Sequence, residues 1–321
     1  MDPRIVTAVL AVIGIPLILA GYINLGEWIL ERLPKSVAQR VRPYVWIFPA
    51  VAFATVFMVW PTLNTIVISF QNARGQWVGL DNYIFFFTNP DTLASLKNNL
   101  LWLVFFTSFV VIFGVLISVL FDRVRYEAIA KTAVFLPLPI SAVAASIIWK
   151  FMYEYQPKGH VQTGTLDAAV GVFGLGPVPW LVNGITNNWA LIFIGVWTST
   201  AFAMVIISAG LKGISPELIE AARVDGAGEL RVLWSIIIPQ LRPILTVITT
   251  TMIITALKVF DIVYTLTNGA YGTDVIARQL FARLANSDFG RAAAVGVVLL
   301  LAVTPVLLFN LRRFREQEAV R

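Results

Sequence analysis

Lys258 and Asp261 are the charged residues whose placement could support binding chemistry. They stand three residues apart inside a long apolar run, where ionisable groups are costly unless they are paired or face water. This spacing on a helix permits a mutual ion pair that locks the helix to a neighbour. It equally permits both groups to line a cavity and hydrogen-bond a polar ligand beside aromatic faces. Other candidates for the wall of such a cavity are Tyr264, Asn188, Trp197 and Thr200.

These additional candidates also have ordinary structural alternatives. Tyr and Trp are common at membrane interfaces and in packing, which is the alternative role for Tyr264 and Trp197. The hydroxyls of Thr198, Ser199 and Thr200 are of the small kind that packs between helices.

A second polar stretch, Glu220 to Pro239, reads E-A-A-R-V-D-G-A-G-E-L-R-V-L-W-S-I-I-I-P between two apolar runs. The preceding Ser215-Pro216-Glu217 is typical of a helix start, with a hydroxyl cap, a first-turn proline and a carboxylate at the positive end of the helix dipole. Asp225-Gly226 supplies a turn, because glycine enters the left-handed region freely. We therefore predict two short helices, 216–224 and 229–237, that meet at an elbow, the second ending before Pro239.

The elbow is either an ordinary amphipathic surface pair or a docking surface for another protein. Ala221 and Ala222 are small enough to let a partner approach closely, and Glu220 beside them offers one charge for pairing. A docking surface fits this combination better.

Catalytic and metal chemistry find little support in the chain. There are no cysteines, and the single histidine, His160, has no acidic or histidine partner at ligand spacing. No phosphate-binding G-x-x-x-x-G-K-[ST] loop occurs, and no connection is long enough for a nucleotide-binding domain. We therefore predict a non-enzymatic protein without a metal site, whose energy source is a partner or an ion gradient.

The elements that position these residues are membrane helices. The 321 residues are 58% hydrophobic and 13% charged, whereas soluble domains have roughly 45–50% and about 25%. About 20 apolar residues suffice to cross a bilayer, so we predict an all-α polytopic bundle. Leu136-Pro137-Leu138-Pro139 should interrupt the fourth span. The seven predicted spans are 5–26, 45–69, 99–121, 131–152, 189–211, 243–266 and 292–311.

The distribution of Lys and Arg predicts the orientation. If the elbow faces the cytoplasm, fifteen of these residues lie on the cytoplasmic side and eight on the other, as the positive-inside rule requires. The amino terminus is then outside and the carboxyl terminus cytoplasmic. Because the basic residues sit in short connections between spans, the net charge of +6 does not indicate nucleic-acid binding.

The stretch 220–239 resembles the signature of permease subunits of binding-protein-dependent ATP-binding-cassette (ABC) importers. The order E-A-A, three residues, Gly, nine residues and I-x-[LI]-P is matched, with Ile238 where leucine is usual. The resemblance covers roughly 45–315.

A finer resemblance is to the maltose-transporter-like carbohydrate branch. It rests on the L-P-x-P of 136–139 followed by Trp149, on the D-G-A that begins at Asp225, and on V-F-D-I-V-Y-T-L-T-N-G. R-V-R-Y-E-x-I-A-K and K-V-F-D-I-V-Y are most similar to alpha-glucoside permeases. The signature residues are Glu220, Ala221, Ala222, Gly226, Ile236 and Pro239.

The resemblance implies the type I ABC importer permease fold. It divides the chain into an extra helix with a basic cytoplasmic connection, 1–42, and a six-span core, 43–321, with its coupling loop at 212–242. In the family this loop inserts into a cleft of the ATPase, so Glu220 would pair with a basic group there while Gly226 sets the elbow. The segment that contains Lys258 and Asp261 matches the sugar-contacting region of the family, which favours the cavity over the ion pair.

The resemblance also implies partners. They are a second homologous permease, an ATPase dimer that binds ATP and Mg, an extracytoplasmic sugar-binding protein and membrane lipid in the bacterial inner membrane; this subunit itself holds no cofactor. The loops 154–182 and 270–289 are expected to contact the binding protein. The substrate would be an oligosaccharide or alpha-glucoside such as maltose or trehalose.

Two other functions compete with this one. An ion-coupled secondary transporter would use Lys258 and Asp261 as coupling groups, but it leaves the elbow unexplained, and no inverted repeat is evident. A membrane enzyme or a non-transporting scaffold is the other alternative. The sequence shows no recognisable catalytic cluster, and this alternative predicts no cavity between the helices.

Overall fold

The computed structural model describes residues 3–122 and 124–319, which form helices joined by loops. Within those residues the sole β interaction is an isolated antiparallel bridge between Gln71 and Trp77, so the all-α prediction is confirmed. The chain divides into two compact units, Met1–Val67 and Ile68–Arg321. In chain order the helices are α1 Pro3–Leu30, α2 Lys35–Ile68, α3 Asp81–Thr88, α4 Pro90–Phe121, α5 Glu127–Phe135, α6 Ala142–Met152, α7 Thr165–Val172, α8 Asn187–Leu211, α9 Pro216–Val224, α10 Glu229–Leu257, α11 Asp261–Leu266, α12 Ile276–Ala285 and α13 Phe289–Ala319.

Six helices in the described part of the chain, namely α1, α2, α4, α8, α10 and α13, are long and apolar enough to cross a membrane. The remaining predicted span, 131–152, consists of α5 and α6, and the predicted proline interruption lies between them. Turn bonds from the amides of Leu138 and Ile140 occupy the gap, and Ser141 then caps α6 by accepting from the amide of Ala144 at 3.2 Å. These turn bonds and the Ser141 cap satisfy backbone groups that a broken helix would otherwise leave unpaired.

The first unit contains α1 and most of α2, packed against each other. Glu27 near the end of α1 accepts from Arg42 at 2.9 Å and from the indole of Trp46 at 2.8 Å, while the hydroxyl of Tyr22 donates to the carbonyl of Val45 at 3.0 Å. Because α2 begins at Lys35, the basic residues expected in a long connection lie largely within this helix.

The second unit is built around α8, which packs along α4. A Cβ atom at Gly114 of α4 would lie 2.8 Å from the Cβ of Ala203, so the two helices approach closely at this point. Nearby, the Ser118 hydroxyl donates to the carbonyl of Met204 at 2.9 Å across the same interface. Small residues and hydroxyl groups bring membrane helices together in this way.

Pro239 does not end a helix, contrary to our expectation. α10 continues from Glu229 to Leu257, and its residues Leu233–Ile237 form a wider π-helical turn that ends two residues before the proline. A proline in a regular helix clashes with the carbonyl four residues earlier and lacks a donor, and a π turn relieves both conflicts.

The predicted sixth span, 243–266, is also wrong as a continuous helix. α10 ends at Leu257, the residues 258–260 are not helical, and α11 begins at Asp261. Two of the connections between the predicted spans also contain helices. α3 and the first part of α4 lie within 71–97, where Asn89 caps α4 with its side chain and Pro90 occupies the first turn, and α12 lies within 268–291.

Candidate functional site

A cavity of about 330 Å³ lies at the break between α10 and α11. Lys258 and Asp261 both line it. Within a membrane, non-helical backbone is tolerated where it is buried in protein or lines a cavity, and helix breaks of this kind form binding sites in transporters. The other lining residues are Trp102, Phe106, Ala142, Gly195, Thr198, Ser199, Ile254, Thr255, Val259, Phe260 and Ile262.

The side chains of Lys258 and Asp261 are exposed, and neither makes an ion pair within 4.0 Å among the residues that the structure describes. The break explains the missing pair, because the regular helical geometry that would bring an i,i+3 pair together is lost between them. Both charges therefore remain available to a ligand in the cavity.

The other four cavity candidates lie outside this lining. Trp197 packs edge-on against Trp149 with ring centroids 5.5 Å apart, and the buried hydroxyl of Thr200 donates to the carbonyl of its own helix residue Val196 at 2.7 Å. Tyr264 stacks on Phe260, a lining residue, at 5.0 Å. The fourth candidate, Asn188, donates to Asn98 at 3.3 Å.

Several lining residues were not among our candidates. Thr198 and Ser199, which we expected to pack between helices, line the cavity. Trp102 is 1% exposed, and its indole nitrogen has no hydrogen-bond partner among the described residues. Gly195 lets the Trp102 ring approach α8, because an added Cβ would lie 2.8 Å from that ring. The signal for Trp102 in the sequence is weak, since a tryptophan in an apolar run is most often a packing residue.

A pair of buried asparagines holds the chain around the break. The side-chain amide of Asn99 donates to the carbonyls of Ala256 and Leu257 at 3.2 and 3.4 Å, and its oxygen accepts from the backbone amide of Ile276 at 2.8 Å. The neighbouring Asn98 donates to the carbonyls of Gly272 and Asp274 at 2.7 and 2.8 Å. Two adjacent amides at the start of an apolar run were the only sequence signal for this arrangement.

The elbow has the predicted turn. Gly226 has φ +82°, the amide of Ala227 donates to the carbonyl of Ala222 at 2.9 Å, and the Gly226 amide donates to the carbonyl of Arg223 at 3.0 Å. These two bonds with a left-handed glycine form a Schellman motif, which ends α9 and satisfies its last carbonyl groups. Across the turn, Arg223 pairs with Glu229 at 3.0 Å.

Glu220 is exposed and makes no ion pair with a described residue. It borders a cavity of about 350 Å³ between the ends of α4 and α8 and the elbow, which Val119, Lys212 and Ile237 also line. Of the other candidate coupling residues in 220–239, Ala221, Asp225 and Gly226 are exposed, whereas Ala222, Ile236 and Pro239 are half-buried. The arrangement leaves a carboxylate and a small-residue surface open to a partner.

Glu127, the first residue of α5, connects the fourth predicted span to the segment between α8 and the elbow. Its carboxylate accepts from Lys131 at 2.6 Å and lies 3.2 Å from the ammonium of Lys212, which follows the last residue of α8. The hydrogen bond from Lys131, together with the nearby charge of Lys212, holds the pKa of Glu127 below its usual value of 4.5.

The two sites lie toward opposite ends of α4. Trp102 lines the cavity at the helix break, and Val119 lines the one at the elbow. At about 1.5 Å per residue, these side chains are separated along the helix axis by roughly 25 Å. Within the described residues, no group of three or more His, Asp or Glu side chains is arranged to hold a metal ion.

Comparison with known proteins decides the family. Residues 111–314 match the model of the family described as "Binding-protein-dependent transport system inner membrane component". The chain belongs to this family of importer permeases. The matched residues include the elbow and both halves of the broken helix, whereas Trp102 and Phe106 of the cavity lining precede the matched range.

Curated relatives of the permease cover most of its length. It is 48% identical to the osmoprotective compounds uptake permease of Synechocystis sp. over 86% of this chain and 100% of the relative. It is 37% identical to the alpha-glucoside transport system permease of Rhizobium meliloti over 96% and 97% of the two chains. The trehalose/maltose permease of Thermococcus litoralis is 29% identical over 85% and 94%.

Solved structures show the fold of the permease. A chain of a bacterial ABC transporter that imports the acidic polysaccharide alginate superposes with a TM-score of 0.75 and 22% identity, covering 88% of the permease and 98% of that chain. A second structure, of a bacterial alginate transporter in complex with an alginate pentasaccharide-bound periplasmic protein, gives a TM-score of 0.74 at 23% identity, covering 87% and 96%. The predicted ABC importer permease fold is therefore confirmed, and the protein is a multi-pass membrane subunit.

Proposed function

We propose that this permease carries an oligosaccharide or alpha-glucoside, such as maltose or trehalose, across the membrane, using ATP hydrolysed by partner subunits. The observation that carries the proposal is the pairing of a polar-edged cavity at a helix break with a docking elbow at the other end of the same bundle. The names of the alpha-glucoside and trehalose/maltose relatives support the substrate class.

The cavity suits a small polar ligand. Its volume of about 330 Å³ is at the lower end of the roughly 300–1,000 Å³ usual for ligand sites. The charges of Lys258 and Asp261 would bind sugar hydroxyls, and the ring of Trp102 contributes an apolar face to the lining. A second homologous permease would complete the site across the transporter axis.

The elbow would receive the motion of the ATPase. In this proposal an ATPase dimer binds ATP and Mg and takes up α9 in a cleft, with Glu220 paired to a basic group of the ATPase. Closure of the dimer moves the elbow from Glu220 to Pro239 as a rigid lever, and the attached helices open the cavity alternately outward and inward. The permease performs no covalent chemistry itself.

The orientation is part of the proposal. The excess of Lys and Arg beside the elbow favours a cytoplasmic elbow and carboxyl terminus and an external amino terminus. The loops 154–182 and 270–289 then face outward, where an extracytoplasmic sugar-binding protein would dock. The extra helix and basic connection, 1–42, precede the six-span core, 43–321, and its coupling loop, 212–242.

Osmoprotective solutes form a second candidate substrate class. The specific observation that favours it is the name of the relative with 48% identity, which covers that relative completely. Competition between maltose, trehalose and other small solutes for the cognate binding protein separates the two classes, because specificity in such systems begins with that protein.

The Glu220→Gln variant tests the coupling proposal. It removes the negative charge but keeps the size of the side chain, so ATPase co-purification and ATP-driven sugar uptake should both fall at least about tenfold, as for the loss of a charge-assisted bond. Glu217→Gln is the matched control, because Glu217 is exposed on the same helix but bonds within the chain to Ser215. Equal association and uptake in Glu220→Gln and wild type would contradict the proposal.

A further inference from the structure

We propose that Asn99 is a positioning residue that connects the outer helix α12 to the helix break beside the cavity. Its oxygen accepts from the amide of Ile276, the first residue of α12, at 2.8 Å. Its nitrogen donates to the carbonyls of Ala256 and Leu257, immediately before Lys258. One side chain therefore joins a surface helix to the residues that shape the cavity.

Burial makes this connection stiff. Asn99 is 2% exposed and Ile276 is 3% exposed, so water does not compete for either hydrogen bond. A buried amide that loses a partner is costly, and displacement of one end is therefore transmitted to the other end rather than absorbed locally. The carbonyls that Asn99 binds belong to the last turn of α10, where the break removes the bonds of a continuing helix; the Ala256 carbonyl also accepts from the amide of Val259 at 3.3 Å.

The segment before α12 is fixed to α4 and to the start of α8 by separate contacts. Asn98 binds the carbonyls of Gly272 and Asp274, and Asn187 donates to the carbonyl of Tyr271 at 2.7 Å. Asp274 in turn forms an ion pair with Arg278 on α12 and accepts from Gln279 at 2.6 Å. The loop and the start of α12 are thus held as one body, and among these contacts only the one through Asn99 reaches the break.

The consequence for transport rests on the proposed function. Under that proposal, α12 lies in the outer loop 270–289, where the binding protein docks. A docked protein that shifts the start of α12 would pull on Asn99 and thereby on the carbonyls before Lys258. Asn99 would then transmit the docking of the binding protein on the outer surface to the cavity, without itself touching substrate.

The test compares two substitutions at Ile276. Ile276→Pro removes the N–H that Asn99 accepts, at a first helical position where proline is tolerated, whereas Ile276→Ala shortens the side chain but keeps the N–H. Hydrogen exchange is measured on residues 256–261 in the assembled importer in lipid nanodiscs, without sugar or binding protein. We expect exchange at the amides of Lys258 and Val259 to rise about fivefold in Ile276→Pro and to remain near wild type in Ile276→Ala.

Asn99→Ala and Asn98→Ala provide the second comparison. Both remove a buried amide from neighbouring positions, but only Asn99 contacts the break. Exchange at 256–261 should rise in Asn99→Ala and remain unchanged in Asn98→Ala, which should loosen 271–276 instead. A similar rise in both asparagine variants, or no difference between the two Ile276 variants, would overturn the proposal. The exchange pattern is independent of substrate, so a failure of the proposed function would appear separately, as absent sugar uptake by the wild-type importer.

Discussion

Arg223 and Glu229 form an ion pair across the elbow, with Nε of Arg223 3.0 Å from Oε1 of Glu229. Their side chains are 44% and 52% exposed, and ion pairs exposed to this degree typically contribute only about 0–1 kcal/mol. The pair satisfies Arg223 and so leaves Glu220 as the unpaired carboxylate of α9. The angle of the elbow therefore depends mainly on the backbone at Gly226.

Gly226→Ser should disturb the elbow because serine is strained at φ +82°. The left-handed conformation costs a non-glycine residue roughly 1–2 kcal/mol, so we expect ATP-driven uptake to fall while the chain still inserts into the membrane. Gly228→Ser is the control, since Gly228 has φ −68° at the start of α10 and serine is a favourable cap there. Uptake reduced equally by both substitutions would argue against a role of the turn conformation.

Replacing the cavity charges should weaken substrate binding in transport. Lys258→Gln and Asp261→Asn each remove a charged hydrogen-bonding group from the cavity, and we expect the KM for sugar uptake to rise about tenfold or more. Lys97→Gln, which changes an exposed lysine outside the cavity lining, should leave the KM unchanged. Loss of assembly rather than a change in KM would mean that Lys258 and Asp261 serve the structure.

The contact of Glu127 with Lys131 and Lys212 should make stability depend on pH in a defined direction. The lowered pKa of Glu127 means that its contribution is present above the usual value of 4.5 and is lost as the pH falls through the lower pKa of the folded state. Glu127→Gln should therefore reduce the thermal stability at pH 7, and the difference from wild type should shrink as the pH is lowered below 4.5. A difference that does not vary with pH would exclude the charge as its cause.

Gly195→Ala should overpack the wall of the cavity. The added Cβ would lie 2.8 Å from the Trp102 ring and 3.2 Å from the Phe106 ring, and overpacking of this kind costs about 1–3 kcal/mol. The control is Gly171→Ala in α7, where an added Cβ meets no atom within 4 Å. Thermal melting of the purified importer should show a lower midpoint for Gly195→Ala alone, and equal midpoints would contradict the packing that we describe.

The sequence predicted most of the helices because uncharged runs and proline or glycine signals are local features. The Gly226 turn and the interruption at 136–139 were correct for this reason. The predicted helix end before Pro239 was wrong, because a π turn accommodates the proline within α10 and residue preferences do not reveal such a turn.

The break after Leu257 could not be predicted, because its support comes from Asn99, which is distant in sequence. No glycine or proline marks residues 258–260, so the apolar pattern there appears continuous. A cavity lined by Lys258 and Asp261 was one of two alternatives that the cost of burying charge left open, whereas the participation of Trp102, Thr198 and Ser199 required the packed helices.

The central claim, transport of a sugar driven by partner ATPases, is tested most directly by uptake into proteoliposomes that contain the assembled importer. Labelled maltose and trehalose would be supplied with the cognate binding protein, with and without ATP and with and without an ionophore. The account predicts uptake that requires ATP and persists when ion gradients are dissipated. Uptake that continues without ATP and collapses with the ionophore would contradict it and favour ion coupling through Lys258 and Asp261.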